Sequence, residues 1–85
     1  MITIHDLLNK IKWDHNLNPS DYTLYYLDRI SKTLKKMKYS DIIRTEGTFI
    51  VTNIEGKETS IPMHRMRRVE ERKEGEKKAR VVWER

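Results

Sequence analysis

The stretch "TFIVTNIEGKETSI", residues 48–61, constrains this chain more than any other. Its first half is a β-branched and aromatic run with the composition of a strand. "EGK" supplies turn chemistry, and "ETSI" returns as the antiparallel partner. At 85 residues the chain has room for one small domain, residues 1–85, with a thin core. The rest of the sequence has to complete the sheet that this hairpin begins.

Upstream, "TIHDLLNKIKW" places Ile4, Leu7, Leu8 and Ile11 at helical spacing. Thr3 is suited to cap that helix and Asp6 to its first turn. "DHNLNPSDY" reads as a loop, because Asn18-Pro19 stops any helix before it. "YTLYYLD" predicts a strand over about Tyr22–Asp28, with Leu24 and Tyr26 on one face and Tyr25 and Leu27 on the other. A further extended piece falls in Leu34–Ile43, where "SDII" leaves room for a helical turn. Pro62 fixes φ for the first position of a short helical segment. "RRVEER", a polar connection containing Gly75, and "RVVWER" then form a closing hairpin. The expected fold is α+β: an N-terminal helix followed by a curved, mostly antiparallel sheet of about five strands, with a curvature compatible with a small barrel.

The formal net charge is +5, and it is unevenly placed. Residues 1–63 carry nine Lys/Arg against eight Asp/Glu, whereas residues 64–85 carry nine against five. A basic C-terminal third suggests an anionic partner, and nucleic acid is the usual one. The competing reading is a solvated charged surface. There is no Cys, hence no disulfide framework and no thiolate metal site, which fits a reducing compartment. No apolar run approaches the ~20 residues of a membrane span. The N-terminus lacks the basic start and apolar stretch of a signal peptide. The expectation is a soluble, cytoplasmic protein without a membrane partner.

Several chemistries lack their parts. His5, His15 and His64 stand far apart without ligand-spaced companions, so no metal site is expected. No nucleophile elbow or glycine-rich phosphate loop is present, and no His-x-Ser/Thr element of a two-histidine phosphoesterase. No catalytic residue and no cofactor is assigned. Phosphate recognition suits what remains. Lys12 stands beside Trp13, and Tyr22, Tyr25 and Tyr26 share one strand. His64, Arg65, Arg67 and Arg68 follow Pro62. Arginine offers a planar fork to phosphate oxygens, histidine adds a donor, and exposed aromatics stack unpaired bases. Each also has a plainer role. Trp13, Tyr26 and Trp83 suit the core of a small domain. His64 could bond Asp28 or a backbone carbonyl, and Asp14, Asp28 and Arg29 could form a structural ion-pair network. The arginines at 67 and 68 could guard a strand edge.

The blocks "IKWDHNLNPSDYTLYYLDR", "IPMHRMRRV" and "VVWER", in that order, resemble a small family of archaeal proteins. The same domain occurs in a eukaryotic leukocyte-receptor-cluster protein and is known as the RNA cyclic group end recognition domain. The likeness runs from about Leu7 to Arg85. Tyr25 stands where family members often have glycine, and the "EERKEGEKKAR" hairpin is longer than the family's usual turn. The resemblance implies binding of processed RNA ends, such as 2′,3′-cyclic phosphates, and the reading preferred here is a non-enzymatic binder. It also implies RNA-processing proteins as neighbours. Combined with the chemistry above, it makes Lys12, Tyr22, Arg29, His64, Arg65 and Arg67 the candidate RNA and phosphate contacts. Trp13, Asp14, Asp28 and Trp83 are the supporting set. Three alternatives stay open: a non-specific nucleic-acid binder using the basic C-terminal third, a protein adaptor, and a cyclic phosphodiesterase.

Overall fold

The computed structural model describes residues 2–85. Helix α1 spans Ile4–Trp13 and buries Ile4, Leu7, Leu8 and Ile11, the four positions set by the helical period. Thr3 caps it as its composition suggests, its Oγ1 accepting from the Asp6 N–H at 3.1 Å. Seven strands follow: β1 (Tyr22–Leu27), β2 (Leu34–Lys38), β3 (Ile42–Glu46), β4 (Phe49–Ile54), β5 (Lys57–Pro62), β6 (Met66–Glu71) and β7 (Arg80–Glu84). All pair antiparallel, in two sheets: four strands in the order β2-β1-β6-β7, and three in the order β3-β4-β5.

The α+β class therefore holds, with two corrections. There are seven strands rather than about five: each of the six extended stretches forms, and the Leu34–Ile43 stretch is two strands split by a 3-10 turn at Tyr39–Asp41. The sheet also does not close into a barrel. That 3-10 turn passes the chain from one sheet to the other, and a second at Met63–Arg65 passes it back.

Local chemistry fixes the hairpins. Glu55 and Gly56 both take positive φ, 51° and 82°, so the β4–β5 turn is the two-residue kind whose twist matches its strands. Between β1 and β2, the Asp28 carboxylate accepts from the Ile30 N–H at 3.0 Å, and Lys32 supplies a left-handed residue at φ 56°. The inner faces of both sheets and α1 enclose a single core. Leu24, Ile50, Met66 and Val69 are fully buried in it, and Trp83 joins them with its Nε1 donating to the Ile2 carbonyl at 3.0 Å.

A cationic cleft between the two sheets

β1 alternates faces as its sequence predicts. Tyr22 and Leu24 point into the core, and Tyr26 follows on the same side at the strand's end, where it is half-buried. Here the two sheets diverge. A cleft of ≈ 530 Å³ opens between the β1–β2 turn on one side and β4 and β5 on the other. Phe49 and Ile54, at the two ends of β4, are among its apolar lining residues. Arg29 reaches in from the β1–β2 turn and Arg65 from the 3-10 turn after Pro62.

The electrostatics of this cleft are uneven. Lys35 also lines it, but its Nζ lies 2.6 Å from Asp28 Oδ2. The ammonium's hydrogen bond, helped by the Ile30 N–H, holds the Asp28 carboxyl down at about 2. The pair is therefore ionised and internally compensated at neutral pH. Arg29 and Arg65 make no ion pair or hydrogen bond among the described residues. Tyr26 stands out among the four tyrosines. Tyr22, Tyr25 and Tyr39 donate to Glu71, Glu70 and the Leu8 carbonyl, but the Tyr26 hydroxyl has no partner among the described residues. Two uncompensated guanidiniums, a free phenol and apolar lining residues suit an anion attached to a flat ring.

The residues singled out from sequence do not all meet here. Arg29 and Arg65 do. His64 is exposed and does not line the cleft, and its side chain bonds neither Asp28 nor a carbonyl. Instead its backbone oxygen is the anchor, accepting from Arg67 Nη1 at 2.6 Å and from Arg85 Nη1 at 2.7 Å. Arg67 is thereby committed to the turn's backbone. Lys12 lies at the end of α1, lining a separate small hollow against β3, with its Nζ 5.1 Å from the centre of the Trp13 ring.

Trp13 is 70 % exposed, which corrects its reading as a core aromatic; Trp83, at 8 %, is a core residue. Asp14 ends α1, its Oδ1 accepting from the Asn16 N–H at 2.9 Å. Tyr22 is also corrected. At 3 % exposure it stacks on nothing outside the protein, and its hydroxyl donates to Glu71 Oε2 at 2.6 Å. Burial first, and then this bond, push the Tyr22 phenol up.

The sequence reading missed Lys35 as Asp28's partner and Tyr26 as a cleft residue. Alternation put Tyr26 on the Leu24 face, which reads as core. Nothing local tells where along that face the second sheet peels away.

Fold and cleft together define a small α+β domain with a cleft lined by two unpaired arginines. Among the described residues no three His, Asp or Glu side chains gather as metal ligands, and no helix is long and apolar enough to cross a membrane. The chain belongs to the MJ1316 RNA cyclic group end recognition domain family, whose model matches residues 1–85. It is 34% identical over 73 residues to a UPF0248 protein of Methanococcus maripaludis, covering 86% of this chain and 91% of that one. It is 28% identical over 64 residues to a UPF0248 protein of Saccharolobus solfataricus, covering 74% of this chain and 76% of that one. No solved structure matches it significantly. The family description makes RNA the partner class.

Proposed function

We propose that this protein is a non-enzymatic RNA-end-binding module that holds a 2′,3′-cyclic phosphate terminus in the cleft between its two sheets. The observation that carries the reading is the pair of uncompensated guanidiniums, Arg29 and Arg65, beside the free Tyr26 hydroxyl. A cyclic terminus carries one negative charge on the ring phosphate and one on the preceding phosphodiester, which matches two cations. Arg65 comes from the half-buried side of its turn and forks onto the phosphate oxygens. The Tyr26 hydroxyl donates to the same group, and Phe49 and Ile54 receive the ribose and base edge.

A linear 3′-phosphate brings more charge and a free 2′-hydroxyl, which needs a partner in the cleft. Discrimination then follows from an unpaired polar group as well as from charge. No general base is assigned, because the cleft holds no histidine and its one carboxylate, Asp28, is committed to Lys35. RNA-processing proteins remain the neighbours that the family resemblance implies.

The experiment is fluorescence anisotropy with one labelled RNA bearing three different ends: 2′,3′-cyclic phosphate, 3′-phosphate and 3′-hydroxyl. The RNA is then recovered and its ends analysed. The reading expects tightest binding to the cyclic end, loss of that preference in Arg65→Ala, and unchanged RNA. Equal affinity for the three ends would reduce the protein to a non-specific basic binder, and an opened cyclic phosphate would make it an enzyme.

A further inference from the structure

The opposite face of the four-stranded sheet is not covered by α1. On β1, Thr23 and Tyr25 alternate with the core residues Tyr22 and Leu24, and so face outward. Across the β1–β2 ladder Thr23 pairs with Lys38 and Tyr25 with Lys36. Arg72 and Lys77, from the long connection between β6 and β7, reach over the same face. These four cations line one hollow of ≈ 710 Å³. None of them makes an ion pair among the described residues.

Three acidic side chains share the hollow, Asp21, Asp41 and Glu70. Glu70 is already occupied: it accepts from the Tyr25 hydroxyl at 3.1 Å and lies 3.2 Å from Arg68 Nε. Arg68 also sits over the Tyr25 ring, 4.4 Å from its centre, so the ring is held as a fixed wall of the groove. Lysines on an edge strand such as β2 guard against unwanted pairing. That role does not explain Arg72 and Lys77, which belong to neither edge strand yet line the same hollow.

β2 forms the boundary between this groove and the cleft. Lys35 lines the cleft and its neighbour Lys36 lines the groove, because successive strand residues point to opposite faces. We infer that the groove formed by Lys36, Lys38, Arg72 and Lys77 is a second, sequence-independent site for the single-stranded RNA leading up to the bound terminus, which crosses the edge of β2 to reach it. The inference rests on the cleft taking the RNA end. It gives the long basic β6–β7 connection a role: that connection carries half of the groove's cations.

The test uses cyclic-phosphate RNAs of increasing length, titrated over a range of salt, against the full chain and the variant Lys36→Gln/Lys38→Gln/Arg72→Gln/Lys77→Gln. All four positions are exposed, and the variant's fold is checked by circular dichroism. Wild type should gain affinity as the RNA lengthens. The variant should lose most of that gain, keep its preference for the cyclic end on the shortest RNA, and show a salt slope shallower by about 3, as expected for four phosphate contacts on a single strand. The inference is overturned if wild type gains nothing with length, or if the variant keeps both gain and slope. A wild type that gains with length but ignores the end chemistry would support the groove and refute the cleft reading.

Discussion

Tyr22→Phe separates a core role from a binding role at one atom. The hydroxyl it removes is 2.6 Å from Glu71 Oε2, and both residues are only 3 % exposed. In the variant that oxygen stays buried with no donor. A hydrogen bond to a charged group contributes roughly 1.5–3 kcal/mol, more than a neutral one. Arg80 continues to pair with the other oxygen, Nε at 3.0 Å, so the cost stays below the roughly 3–5 kcal/mol of an unpaired buried charge.

A loss of about 2 kcal/mol corresponds to a fall in Tm of about 8–16 °C for a domain of this size, read by circular dichroism at pH 7. The pH dependence adds a signature. Glu71 titrates below its ordinary 4.5, first because of the Tyr22 bond and then Arg80, against the effect of burial. A carboxyl depressed in the folded state adds stability above its unfolded value, and that stability drains away as pH falls through the folded one. Without the phenol the depression shrinks, so the gap between wild type and variant narrows in acid. Tyr22 itself is raised, so wild type also loses stability as pH climbs above 10, and the variant lacks that loss. RNA affinity at neutral pH should stay within about twofold. A Tm within about 2 °C of wild type, or an equal gap at pH 7 and pH 3, would refute this account of the pair.

Other expectations follow from the same geometry. His64→Ala should leave both Tm and RNA affinity nearly unchanged, because its side chain is exposed and it is the backbone oxygen that anchors the turn; Arg65→Ala should cost about tenfold in affinity for a cyclic end, measured by anisotropy. Asp28→Asn keeps an acceptor for the Ile30 N–H but releases Lys35, so RNA binding should tighten at low salt and its salt slope steepen by about 0.7. Leu24→Ala, at a fully buried position, should cost about 2–5 kcal/mol in urea unfolding. Trp13→Phe should change stability by less than about 0.5 kcal/mol and remove the iodide-quenchable emission, leaving the shielded signal of Trp83.

What could be read from the sequence, and what could not, divides along local and non-local physics. The helix face at Ile4, Leu7, Leu8 and Ile11, the Thr3 cap, and the Glu55-Gly56 turn depend on residues a few positions apart, and all are present as their patterns indicate. The break of Leu34–Ile43 into β2, a 3-10 turn and β3 was visible only as ambiguity at "SDII", because it is the second sheet that draws the chain away.

Site residues were harder. Arg29 and Arg65 are separated by 36 positions, and only the crossing between sheets puts both on one cleft. His64 has the donor chemistry of a phosphate contact, yet its ring faces solvent while the neighbouring Arg65 lines the cleft. Tyr22 and Tyr26 share a strand face and the same residue type. One is sealed by Glu71, 49 positions away in the chain, and the other is left free at the mouth of the cleft.

The central claim is that the RNA terminus sits in the cleft between the sheets. Its most direct test is a nitrogen-15 NMR titration with a short RNA ending in a 2′,3′-cyclic phosphate. The account predicts the largest amide shifts at Tyr26, Arg29, Ser60 and Arg65, with Lys12 and His64 barely moved. Shifts centred on Lys12 and Trp13, or spread evenly over the basic surface, would contradict it.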